Sequence, residues 1–167
     1  MSANVASYPI TVGVGAFLVR RDALLVVRKT YGPWAGRWAI PSGYVEPRES
    51  VVRTVEREVL EETGIIGRAG RLIAVRNLVT PKVNDTFLIF TMAYESGEPR
   101  PDRVEVSDAA FVPLAEFADS ADAAPFTRAI ASRVPDASGF ELDPYEPPDD
   151  RLGHEAYLLF RAPAKVH

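Results

Sequence analysis

"REVLEETG", residues 57–64, places Glu58, Glu61 and Glu62 within five positions, beside Arg57 and closed by Gly64. Like charges at i,i+4, here Glu58 and Glu62, destabilise an isolated helix by a few tenths of a kcal/mol. Solvent, a basic partner or a metal ion must offset that repulsion. Upstream, Val51, Val55 and Val59 recur at i+4 with Val52 and Leu60 alongside, a helical stripe that starts at Ser50 as N-cap and ends at Gly64. On a wheel of about 100° per residue, with Val51 at zero, the other valines fall between roughly 40° and 100°. Glu58 and Glu62 fall at roughly −20° and 20°, and Glu61 at roughly −80°. Two of the three carboxylates thus face the rim of the core. Arg57 is placed to pair with Glu61 at i+4, and one guanidinium does not readily neutralise three carboxylates. An oxygen-seeking divalent cation such as Mg²⁺ supplies that charge.

The rest of the chain bounds what surrounds this helix. Its 167 residues fit one domain over 1–167, with 47% hydrophobic and 25% charged residues, ordinary globular values. A net charge of −4 argues against a nucleic-acid or membrane-surface binder. No apolar run has transmembrane length, and MSANVASYPI lacks the basic segment and apolar run of a secretory signal. The absence of cysteine excludes disulfides, thiolate metal sites and cysteine nucleophiles. The expectation is a cytoplasmic protein. Basic charge is nearly all arginine, with Lys29, Lys82 and Lys165 as the lysines, a bias that phosphate recognition or a GC-rich genome would each produce.

Residues 10–20 and 23–29 read as a hairpin turning at Arg21-Asp22. Residues 30–50, dense in Gly, Pro and Trp, read as loop with a short strand at 38–40. Strands are expected at 70–79, 85–95 and 109–114, joined by polar loops, and two helical pieces at 115–134 with Pro125 opening the second. Residues 135–153 read as an irregular acidic, proline-rich segment, and 155–162 as a terminal strand. Strands and helices without strict alternation imply an α/β (α+β) sandwich around a mixed β-sheet.

Extended backwards, the helix becomes "GYVEPRESVVRTVEREVLEETGI", residues 43–65. It matches the Nudix hydrolase signature, G-x5-E-x7-R-E-U-x-E-E-x-G-U with U a bulky aliphatic, at Gly43, Glu49, Arg57, Glu58, Val59, Glu61, Glu62, Gly64 and Ile65. "RWAIPSG" (37–43) also resembles the family's approach to this box, with Ser42 where a second glycine is common, and the resemblance covers roughly 9–134. It implies a Nudix-like α/β/α sandwich, the box forming a loop–helix–loop, and hydrolysis of the pyrophosphate bond in a nucleoside diphosphate derivative. It further implies that Mg²⁺ or Mn²⁺ is held by Glu58, Glu61, Glu62 and the Ser42 carbonyl, with Arg57 orienting Glu61 or Glu49. The general base is a box glutamate such as Glu61, or a downstream loop glutamate, for which Glu105 stands in place with Glu98 and Asp102 as rivals. The partner implied is a small-molecule nucleotide, with a homodimer left open.

Substrate signals are thinner. Trp34 is the better base-stacking candidate, and Trp38, ahead of Ala-Ile, reads as core. Arg28, Lys29, Arg37 and Arg76 are candidates to meet phosphates. Pro81, sixteen residues past Ile65, resembles a mark of the ADP-ribose pyrophosphatase subgroup. The NADH-pyrophosphatase pattern S-Q-P-F-P-x-S is absent, as is the cysteine of the isopentenyl-diphosphate isomerase branch. A cation site at His154 and 143–150 is weighed against a solvated loop, which the composition favours. ADP-ribose or another nucleoside diphosphate sugar is therefore the expected substrate, with its sugar between the 80–84 and 96–105 loops. Nucleoside triphosphates, oxidised ones included, are the alternative, and a non-catalytic nucleotide-binding module is the other.

Overall fold

Left-handed backbone at Arg21 (φ 50°) and Asp22 (φ 63°) closes a two-residue turn between β1 (Ile10–Arg20) and β2 (Ala23–Lys29). The structure, a computed structural model, describes residues 8–133, 138–146 and 155–163. After β2 come β3 (Trp38–Ala39), β4 (Ser42–Tyr44), α1 (Val51–Thr63), β5 (Ile66–Val79) and β6 (Asn84–Ser96). Then follow β7 (Val106–Pro113), α2 (Leu114–Asp119), α3 (Pro125–Arg133), β8 (Glu141–Asp143) and β9 (Leu159–Arg161). Seven strands form one mixed sheet in the order β3-β2-β1-β6-β5, with β4 on β1 and β7 on β2. Among the paired strands of the described residues only β1 and β6 run parallel, from Ile10↔Asn84 to Leu18↔Met92.

Strand alternation makes two cores. Val14, Ala16 and Leu18 of β1 and Phe90 of β6 bury against Val55 and Val59 of α1. Phe17 and Ile89, pointing the other way, meet Phe117 of α2 and Ala131 of α3. Each fully buried valine or leucine contributes roughly 1.5–3 kcal/mol, so both faces of the sheet hold their helices. The result is the three-layer sandwich expected from the sequence. No helix among the described residues is long and apolar enough to cross a membrane.

Two readings of the tail change. Residues 135–153 are not wholly irregular, because Leu72 and Phe140 exchange backbone hydrogen bonds of 2.9 and 2.8 Å and β8 follows at once. The terminal strand shrinks to 159–161 and pairs with β8 instead of the main sheet. Phe160 carries this hairpin onto the α1-side core, 5.6 Å from the Phe90 ring. His154 and the end of the 143–150 run lie outside the described residues.

Candidate active site

Ser50 caps α1 by accepting from the Arg53 amide, and Gly64 ends it in the left-handed region at φ 68°. Between these caps the helix turns its carboxylates as the wheel requires. Glu62 is 1% exposed and Glu58 8% exposed, while the Glu61 side chain stands 57% exposed. Glu62 Oε2 accepts from the Ser42 amide at 3.0 Å, and Oε1 accepts from Lys29 Nζ, which also donates to the Ser42 carbonyl at 2.6 Å. Burial nonetheless pushes the Glu62 carboxyl up to about 7, and burial also raises Glu58.

Arg57 does more than the i+4 pairing read from sequence. Its fork meets Glu49 with two bonds of 2.9 Å, and Nη1 reaches both Glu58 (2.8 Å) and Glu61 (3.1 Å). These bonds hold Glu49 down at about 2 and raise Arg57 itself. Gly43 lets the Glu58 carboxylate approach the backbone: a Cβ there would strike that carboxylate and force it to move.

Across from α1, the loop before β7 completes a concavity of about 320 Å³ that includes Tyr31, Glu58, Glu61, Glu62, Asp102 and Glu105. Asp102 accepts from the amides of Val104, Glu105 and Val106, so it holds the loop's shape. Glu98 pairs with Arg20 at 3.5 Å and does not line the concavity. Glu105 faces the box and accepts from the Tyr31 hydroxyl at 3.3 Å. Desolvation, then Glu105, raises that hydroxyl to about 12.

With Arg57 and Lys29 drawn onto the carboxylates, no three acidic or histidine side chains among the described residues converge as a ready cage. The donor set still fits a hard divalent ion. It is all oxygen, two of its carboxylates are buried and hard to keep charged, and the Lys29 ammonium already bridges the Ser42 carbonyl and Glu62 as a cation.

A second cavity, of about 290 Å³, adjoins the first through Tyr31, Gly43 and Tyr44. Its walls include Trp34, Phe87 and Phe126, and Arg76 and Asp85 lie among its lining residues. Trp34 and Arg76 therefore both line this cavity. Arg28, Arg37 and Pro81 do not line either cavity. Arg28 stacks on Trp38 at 4.2 Å and bonds Gly36 and Asp122, and Arg37 bonds the Ala121 carbonyl, so both tie the 32–38 loop to the segment between α2 and α3. Trp38 packs against the α2/α3-side core, as its apolar neighbours implied. Pro81 sits in the turn between β5 and β6. Nothing in the local pattern singles out Phe87, Phe126 or Asp85, which reach the cavity only through strand pairing and helix packing.

The NUDIX domain model matches residues 9–133. "Nudix hydrolase 8" of Arabidopsis thaliana is 33% identical over 113 residues, covering 65% of this chain and 31% of its own length. An "ADP-ribose pyrophosphatase" of Methanocaldococcus jannaschii is 34% identical over 64 residues, 38% of each chain. The chain thus spans well under half the length of these relatives. A MutT NUDIX hydrolase structure from Burkholderia pseudomallei superposes with a TM-score of 0.66 at 27% identity, covering 75% of this chain and 98% of the other. The match runs through the sheet, the box helix and every signature position, and on that ground the chain belongs to the Nudix hydrolase family.

Proposed function

We propose that the protein hydrolyses the pyrophosphate bond of a nucleoside diphosphate sugar in a divalent-ion-dependent reaction. The observation that carries this is the joining of the carboxylate concavity to the aromatic-walled cavity at Tyr31, Gly43 and Tyr44. A cavity of about 290 Å³ sits at the small end of ligand sites, roughly 300–1,000 Å³, and suits one nucleobase between aromatic rings. The diphosphate then lies over the box.

Glu58, Glu61, Glu62 and the Ser42 carbonyl would hold Mg²⁺ or Mn²⁺. Such an ion, when bound, neutralises phosphate charge and lowers the barrier to attack by water on phosphorus. Arg57 fixes Glu49, Glu58 and Glu61 in place. Lys29, which lines the aromatic-walled cavity and donates to Glu62, gives up that bond and meets a phosphate oxygen. Glu105 takes the proton of the attacking water, from the side opposite the box. Replacing it by Gln keeps the shape and removes the base, so kcat should fall about 10²–10⁴-fold. The rise in melting temperature on adding Mg²⁺ should not change, and a variant with full turnover would remove Glu105 from this role.

A γ-phosphate would have to sit in a concavity lined by Glu46, Glu61, Asp102 and Glu105, where Arg57 is already bonded to three carboxylates. An uncharged sugar avoids that repulsion. The test is kcat/KM across nucleoside diphosphate sugars, ADP-ribose included, and nucleoside triphosphates. The sugars should lead, and a hundredfold preference for any triphosphate would overturn the assignment. Turnover of none would leave the non-catalytic binding module.

A further inference from the structure

Arg76 of β5 lies opposite Phe87 of β6, and Asp85, two residues before Phe87, projects from the same face. The Arg76 guanidinium rests 5.0 Å from the Phe87 ring and 5.2 Å from the Phe126 ring, and Nη2 donates to Asp85 Oδ2. Asp85 is 5% exposed, and its other oxygen accepts from Thr11 Oγ1 at 2.6 Å. Arg76 Nε is buried and has no hydrogen-bond partner, alone among the buried side-chain polar atoms described. An unsatisfied buried donor is costly, and this one belongs to a side chain that lines the aromatic cavity.

We infer that Arg76, held by Asp85, selects the base, and that it selects a 6-oxopurine of the guanine type over adenine. The inference rests on the cavity being a nucleobase site. Arginine offers donors and no acceptor, so it reads base edges built of acceptors. Guanine presents O6 and N7 side by side, the pairing arginine meets most often, whereas adenine sets an amino donor beside N7. Asp85 lines the same cavity with each oxygen already accepting one bond, from Thr11 or from Arg76. Its remaining lone pairs would accept from guanine N1–H as well as from the adenine amino group, so the discrimination falls to Arg76. Guanine oxidised at C8 carries a hydrogen on N7, turning that acceptor into a donor, so this edge rejects it as well. A purely structural Arg76, present only to neutralise Asp85, would leave affinity indifferent to the base.

The test is titration calorimetry with nucleoside monophosphates and Mg²⁺, which needs no turnover. GMP and IMP should bind at least about tenfold more tightly than AMP, and 7-deaza-GMP, lacking the N7 acceptor, should lose most of that advantage. Arg76→Lys keeps a cation beside Asp85 but loses the fork, so the GMP-to-AMP ratio should collapse towards one. AMP binding as tightly as GMP, 7-deaza-GMP matching GMP, or a folded Arg76→Lys variant with an unchanged ratio would each overturn the inference. The analogue series uses the wild-type protein and stands whether or not the variant folds. Hydrolysis of sugar nucleotides without base preference would sink this inference and leave the proposed function standing.

Discussion

Stripped of divalent ions and held in excess EDTA, the protein should turn over no sugar nucleotide, and added Mg²⁺ should restore full activity. Three oxygen-donor glutamates on one helix turn, two of them buried, are poorly suited to act on a dianionic diphosphate unaided. The same removal has a signature in stability. Burial raises the folded-state carboxyl of Glu62 to about 7, above its unfolded value near 4.5. The contribution linked to that group is therefore fully present below pH ~4.5 and is lost as pH rises through ~7. Glu49, held down at about 2, works in the opposite sense, and its contribution is lost only as the pH falls below ~4.5 towards 2. Between pH 5 and 8 the metal-free protein should thus melt at progressively lower temperature. If an ion held by Glu62 takes the place of its proton, the Mg²⁺-induced rise in melting temperature should grow over the same window. Full turnover in EDTA after metal-free preparation would end the divalent-ion assignment, and a Mg²⁺ shift independent of pH would move the ion away from Glu62.

Glu62→Gln should lower kcat by about three orders of magnitude, the effect of roughly 4 kcal/mol lost from the transition state. Circular dichroism should still show a folded chain. Two opposing effects act on stability. Relief of the Glu58–Glu62 repulsion and of a buried charge favours the variant. Against it, Glu62 accepts from two donors at once, Lys29 Nζ and the Ser42 amide. A glutamine turns its NH₂ towards one of them and leaves that donor unsatisfied, at about 1–3 kcal/mol. The melting temperature should therefore move little while activity collapses. A variant with near wild-type kcat at saturating Mg²⁺ would place the ion elsewhere on the box.

The sequence by itself determined whatever depends on local spacing. The box helix, its Ser50 and Gly64 caps and the burial of Glu58 and Glu62 at the rim of a valine stripe all follow from a 3.6-residue period. The division of the core into two faces was not legible in the same way, because β1 is buried on both sides from Gly13 to Leu18 and its sequence is a continuous apolar run. Tertiary structure decided which distant groups meet. Glu62 finds its counter-charge in Lys29, 33 residues away, because β2 ends beside the helix and β4. Arg28 and Arg37, alike in sequence to Arg76, are consumed in pinning a loop, while Arg76 is carried into the aromatic cavity by its register with β6. Pro81 has the spacing of a substrate mark but lies in a hairpin turn that lines neither cavity. Phe160 joins the core through a tail hairpin with too few residues for any period to reveal. Local periodicity fixes which way a side chain faces, and only the pairing of strands and the docking of helices fixes what it faces.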